Sequence, residues 1–348
     1  MSESSPLSTT KWVLTGSVVI AVVLFNGAFL LRLDSADMTS KTHLNDRTKA
    51  SVFVNEPIAP LPRNIDLDSG KVALGKRLFE DPRLSRDNSI SCSTCHDLNK
   101  GGGDGLAGSR GIGGALSAFN APTVFNSSFN FRQFWDGRAA TLEEQTSGPV
   151  HNPTEMGSSW QEVVAKLSAD PEYTRSFTAL YPKGLSETAI QDAIATFERS
   201  LITPDARIDR YLRGEQGVLN ERELAGYRLF KERGCTACHQ GINIGGNLFQ
   251  SMGVFGNFFA DRAKDKKEDQ GRFNVTGKEE DRHLFKVPSL RNVARTAPYL
   301  HDGSIPVLGD AVKTMGKYQL GRDLPPDEID LIVAFLHTLT GTYQGKPL

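Results

Sequence analysis

All four cysteines of this 348-residue chain fall in two copies of one string. Cys92-Ser-Thr-Cys95-His96 and Cys235-Thr-Ala-Cys238-His239 both read Cys-X-X-Cys-His. That string is the attachment site of a c-type haem: two thiols form thioethers with the vinyl groups, and the next histidine ligates the iron. A redox-active Cys-X-X-Cys needs no trailing histidine, and a zinc site would have to pair two distant motifs. The chain therefore carries two haem c groups, anchored through Cys92, Cys95, Cys235 and Cys238, with His96 and His239 as iron ligands.

An iron held by one histidine has a second axial position, and what fills it decides the chemistry. Methionine raises the reduction potential and closes the site, whereas an open position admits small ligands. Past residue 62 the methionines are Met156, Met252 and Met315. Met252 follows His239 too closely for the chain to wrap round to the opposite haem face. Met315 lies far downstream, in a loop expected ahead of the last helix, and is assigned to the His239 haem; a core position under that helix is the plainer reading. Met156 adjoins Glu155, which is either a solvated carboxylate or an acid–base group beside a haem face. Trp135, in Phe134-Trp-Asp-Gly-Arg138, is either a core indole or a conductor of electrons between haems.

The elements around the motifs repeat. Leu74-Gly-Lys-Arg-Leu-Phe79 precedes the first motif and Leu224-Ala-Gly-Tyr-Arg-Leu-Phe230 the second, each placing Leu and Phe on one face of a short helix. Closing helices are expected over 185–201, with Ser186 as N-cap, and over 326–340, starting at Pro326 and stopping at Gly341. Each half then has the build of a class I cytochrome c: helix, haem motif, irregular loops, helix. The expected fold is all-α with long loops, in two haem domains over 63–203 and 204–348. The charge-dense stretch from Arg262 to His283 reads as a solvated loop.

Formal net charge is −1, which gives no reason to expect nucleic acid as a partner. Residues 12–31 are free of charge, bounded by Lys11 and Arg32, and long enough to cross a bilayer, which takes about 20 residues. They read as an uncleaved signal anchor, with residues 1–11 cytoplasmic and 32–62 a Pro-containing tether. The alternative is a cleaved signal and a soluble periplasmic protein. Covalent haem attachment in bacteria takes place outside the cytoplasmic membrane, so either way the haem-bearing bulk is periplasmic.

From about Pro57 to Gly341 the chain resembles the bacterial di-haem cytochrome c peroxidase family, which includes the tryptophylquinone-forming enzyme of methylamine metabolism. The resemblance is carried by Leu78-Phe-Glu-Asp-Pro-Arg-Leu-Ser85, Asn120-Ala-Pro-Thr-Val-Phe-Asn126 and Gln133-Phe-Trp-Asp-Gly-Arg-Ala139. Leu201-Ile-Thr-Pro-Asp-Ala-Arg207, Phe285-Lys-Val-Pro-Ser-Leu-Arg-Asn292 and Thr296-Ala-Pro-Tyr-Leu-His-Asp-Gly303 add to it. It implies a peroxidatic haem on His96 and an electron-entry haem on His239 and Met315. It implies that Gln145 and Glu155 line the peroxide pocket and that Trp135 lies between the haems. It also implies a calcium ion held by Asn120 and by the backbone carbonyls of Thr296 and Pro298, and a homodimer. Met315 separates the chain from the tryptophylquinone-forming enzyme, which has tyrosine in that role.

One departure concerns the loop of residues 104–120, where many members of the family carry a histidine that ligates the resting peroxidatic iron. No histidine occurs there, and Ile112 aligns with its place. His43, His151, His283, His301 and His337 all lie elsewhere. The expected reaction is reduction of hydrogen peroxide to water, with electrons from a small periplasmic c-type cytochrome or a cupredoxin. The rival readings are a di-haem oxidase acting on a protein or small organic substrate, and a pure electron-transfer cytochrome.

Overall fold

The computed structural model describes residues 56–262 and 266–348. The apolar segment 12–31, residues 1–11 and the tether up to residue 55 lie outside the described residues. Among the described residues no helix is long and apolar enough to cross a membrane.

Helices α1 (Ser69–Phe79), α2 (Cys92–Cys95), α3 (Leu142–His151), α4 (Trp160–Ser168), α5 (Pro171–Leu180) and α6 (Glu187–Ser200) come first. They are followed by α7 (Arg207–Leu212), α8 (Glu221–Glu232), α9 (Phe273–Thr276), α10 (Leu308–Gln319) and α11 (Pro326–His337). Long loops join them. Strand β1 (Phe249–Ser251) pairs antiparallel with β2 (Leu284–Lys286), and β3 (Thr342–Tyr343) pairs antiparallel with β4 (Lys346–Pro347). The all-α expectation therefore needs two small ladders added to it.

Two helix crossings carry the architecture, and both rest on glycine. α1 begins where the Asp68 carboxylate accepts the N–H of Lys71, and its buried face is Leu74, Gly75, Leu78 and Phe79. A Cβ on Gly75 would stand 1.9 Å from the Ala193 carbonyl oxygen on α6, so α1 and α6 meet backbone to backbone. α8 begins at a reciprocal cap between Asn220 and Glu223. A Cβ on Gly226 would stand 2.0 Å from the Leu331 carbonyl oxygen on α11. The two glycines hold the same place in the repeated Gly-X-Arg-Leu-Phe strings.

α6 starts and stops close to expectation, with Ser186 accepting the N–H of Ala189. α11 ends at His337 with Thr338 as its cap, short of the expected Thr340, because Thr338 turns its hydroxyl back onto the Phe335 carbonyl. Met315 sits inside α10 and not in a loop. The stretch from Arg262 to His283 is solvated at Lys266, Lys267, Glu279 and Glu280, but Asp269 within it is fully buried.

The apolar core divides along the chain. Leu74, Leu78, Val163, Phe177 and Ile190 belong to one cluster; Ile208, Tyr227, Phe230, Ile332 and Phe335 belong to another. Both ends of the described chain cross this division. Ile58 joins the second cluster, and Pro57 and Ala59 exchange backbone hydrogen bonds with Gly241. Arg291, fully buried, donates to Asp209 at 2.6 Å and to the Ala59 carbonyl at 2.8 Å. At the other end Tyr343 and Leu348 pack on the cluster of Phe79, Phe125 and Phe197. The tether expected over 32–62 has thus become packed chain by Glu56, whose carboxylate accepts from Tyr227 and Lys231.

The seam between the halves is polar and satisfied. Asn126 and Asn292, both left-handed at φ 61° and 62°, converge on Thr203. Asn126 donates to the Thr203 hydroxyl at 2.8 Å, Asn292 donates to it at 3.0 Å, and Gly341 N–H donates to the Asn292 oxygen at 3.0 Å.

Candidate active site: two cavities with one shared wall

Each Cys-X-X-Cys-His string borders a cavity. The larger holds about 510 Å³ and is lined by Cys235, Cys238 and His239, with Met252 and Met315 also on its wall. The smaller holds about 160 Å³ and is lined by Cys92, Cys95 and His96, with Gln145 and Glu155. Residues 120–123, Asn130, Trp135 and Lys286 border both, so the cavities meet at a single wall.

The residues present fit two haems. All four thiols are free and half-buried at cavity walls. His96 Nδ1 lies 3.2 Å from the Gly102 carbonyl and His239 Nδ1 lies 3.3 Å from the Ile244 carbonyl. Those contacts fix each ring as an Nδ1–H donor and leave Nε2 for a metal. Burial pushes His239 down to about 4 and lowers His96 as well, which keeps both imidazoles in the neutral, metal-binding form.

Of the two methionines on the larger wall, the one excluded by sequence spacing, Met252, is also present. Its sulfur accepts from Gln319 Nε2 at 3.5 Å. No hydrogen bond to the Met315 sulfur occurs among the described residues.

Glu155 sits in the turn that follows α3, where Ile112 N–H donates to its backbone carbonyl at 2.9 Å. Its carboxylate accepts from Asn152 Nδ2 at 2.8 Å. Burial raises its pKa, opposed by the charge of Arg138 and by the Asn152 hydrogen bond. Asn152, and not Gln145, holds the carboxylate, although Gln145 lines the same cavity. Met156 is core, packed with Leu84, Val150 and Trp160. Trp135 borders both cavities and donates Nε1–H to the Asn120 carbonyl at 3.0 Å. Asn120 N–H in turn donates to the His301 carbonyl at 2.9 Å.

Neither His151, His283, His301 nor His337 borders the smaller cavity, and His43 lies outside the described residues. Ile112 is buried against the Glu155 turn, where a Cβ on Gly157 would stand 2.4 Å from it. Asn120, Thr296 and Pro298 all border the larger cavity. The Asn120 side-chain nitrogen donates to the Leu106 carbonyl at 2.8 Å, leaving Oδ1 for a cation.

Three features escaped the sequence. Glu198 on α6 is 6 % exposed, borders the smaller cavity, and has Oε2 buried without a partner; burial pushes it up to about 8. Its i+4 and i+8 spacing from Ile194 and Ile190 was the available signal. Lys286 is the second. The third is a buried knot in which His301 Nε2 lies 2.7 Å from Asp269 while Arg262 pairs with both Asp269 and Asp302. Asp269, His301 and Asp302 could hold a metal by proximity, but Arg262 already supplies the positive charge.

With this geometry in view, comparison with known proteins decides the family. A sequence profile described as di-haem cytochrome c peroxidase matches residues 69–217. Cytochrome c551 peroxidase of Nitrosomonas europaea is 46% identical over 294 residues, 82% of this chain and 85% of that protein. The chain belongs to the di-haem cytochrome c peroxidase family. Cytochrome c peroxidase Ccp of Escherichia coli is 52% identical over 290 residues, 83% of this chain, but the match spans only 62% of that longer relative. A crystal structure of a MauG-like protein associated with microbial copper homeostasis superposes with a TM-score of 0.72 at 31% identity, over 82% of this chain and 93% of that one. Membership of the family implies two haem c groups and an oxidoreductase that acts on peroxide.

Proposed function

We propose that the chain reduces hydrogen peroxide to two waters at the His96 cavity, with two electrons and two protons, and that the electrons enter at the His239 cavity. The observation that carries this reading is the composition of the smaller cavity: a haem-attachment motif, a desolvated carboxylate, and no second histidine among the described residues. When bound, the haems supply the iron centres that exchange electrons with peroxide and with the donor.

The chain's own groups do the rest. Glu155, oriented through Asn152 with Gln145 beside it, takes the proton from one peroxide oxygen and returns it to the other so that water can leave. Help of this kind is worth about 10²–10⁴-fold. The raised pKa of Glu155 matches that task, because a carboxyl tuned toward the working pH both accepts and donates. Trp135 carries electrons across the shared wall. Met315, whose sulfur is free where that of Met252 is engaged, ligates the second iron. Calcium at Asn120, Thr296 and Pro298 fixes the wall, since a hard cation takes oxygen ligands.

The donor is a small c-type cytochrome, with a cupredoxin as the alternative. The place of action is the periplasm, reached with residues 12–31 as an anchor or a cleaved signal; the assembly is a homodimer. The likeness to a MauG-like structure favours a di-haem oxidase as the second reading, although Met315 stands where the tryptophylquinone-forming enzyme has tyrosine.

Peroxide-dependent oxidation of reduced cytochrome c, started from the fully oxidised haem-loaded protein, tests the proposal. Turnover without a lag is expected, because no histidine has to leave the smaller cavity. A lag removed by prior reduction would refute the open site; no turnover in either state would favour the oxidase.

A further inference from the structure

Among the described residues, Lys286 is the one cation on the wall between the two cavities. It closes strand β2, where its backbone N–H donates to the Trp135 carbonyl at 2.8 Å. The residue is 6 % exposed, and no carboxylate pairs with its ammonium among the described residues. Buried charges elsewhere among the described residues have partners, as Arg291 has Asp209 and Asp269 has His301 and Arg262; Glu198, the buried carboxyl without one, is pushed by burial toward its neutral form. Arg138, the other cation bordering the smaller cavity, is taken by Asp136 at 2.9 Å. A buried ammonium without a counter-charge is destabilising, so such groups are retained where an anion completes them.

The cavities themselves say which anion. Both are lined for haems, and the ionised groups of a haem are its two propionate carboxylates. We propose that Lys286 is a shared counter-ion, its ammonium donating to a propionate of each haem across the common wall. An ammonium has three N–H donors, enough for one carboxylate on either side. Burial pushes Lys286 down to about 8 in the protein alone, which marks the cost that the two carboxylates would offset. The inference rests on the reading that a haem fills each cavity.

The test uses the full haem-loaded chain at fixed pH with saturating calcium, and mass spectrometry to count attached haems. In Lys286→Met both midpoint potentials should fall, because losing a nearby positive charge favours the ferric state. In Lys286→Arg both should stay near the wild-type values, while the propionate bending bands of both haems shift in resonance Raman spectra as a guanidinium replaces the ammonium. Potentials unchanged in Lys286→Met, or a fall at one haem only, would overturn the shared counter-ion. If Lys286→Met does not load haem, unshifted propionate bands in Lys286→Arg overturn it instead. A wild-type chain carrying fewer than two haems would count against the underlying reading.

Discussion

Two glutamates border the smaller cavity, Glu155 half-buried and Glu198 buried, and they are predicted to behave differently. Glu155→Gln keeps the shape and the Asn152 contact but cannot shuttle a proton. Its kcat should fall about 10²–10⁴-fold with the oxidised haem spectrum unchanged, measured by stopped-flow with peroxide. Glu198 is predicted to act on stability. Burial raises its folded pKa from 4.5 to about 8, so the stability it contributes is full below pH 4.5 and is lost as pH rises through about 8. Glu198→Gln removes that loss. Thermal unfolding should find the two proteins alike at about pH 4 and the variant more stable at about pH 9. The gap should reach at most about 4–5 kcal/mol, since each tenfold change in proton affinity is worth about 1.4 kcal/mol. A difference independent of pH would mean that Glu198 is ionised in the loaded protein. Both haem motifs could be read from the sequence because their chemistry depends on residue type and short spacing, whereas Glu155 stood out only through the family resemblance. Lys286 and Glu198 could not be singled out, because what distinguishes them is the lack of a partner, and partners come from distant parts of the chain.

At the level of elements, the repeated Gly-X-Arg-Leu-Phe strings were legible as a pair of helices, and the periodicity of 185–201 gave α6 almost to the residue. The purpose of the glycine was not legible, since closeness of two backbones is a tertiary fact. Gly75→Ala and Gly226→Ala should each cost about 1–3 kcal/mol or more in urea unfolding, because the clash is with a carbonyl and not with the end of a flexible side chain. Variants at Gly217, whose surroundings are open, should not show that packing cost. The loop placement of Met315 failed for a related reason: α10 has no side-chain N-cap to announce its start. The buried Arg291–Asp209 pair ties α7 to the loop before Asn292 and to the chain near Ala59. Arg291→Met should cost about 3–5 kcal/mol by stranding the Asp209 carboxylate, and Arg291→Met with Asp209→Leu should recover most of it.

At the largest scale, the described chain is bound by its crossed ends. The strap of residues 56–61 lies on the second half, while Tyr343 and Leu348 lie against Phe79, Phe125 and Phe197 of the first. Tyr343→Ala should therefore loosen α1 and α6 more than α8 and α11, although the sequence places it beyond all four. Hydrogen exchange resolved by peptide would check this, and faster exchange confined to α8 and α11 would contradict it. The composition and the helix pairs pointed to two halves; nothing in a linear reading pointed to the exchange of their ends. That exchange has a consequence for the order of synthesis. The first half leaves the ribosome early, yet its aromatic cluster lacks Tyr343 until residues 342–348 have emerged. Cys92 packs on that same cluster, so the surroundings of the first haem motif are completed only when residues 342–348 reach back to it.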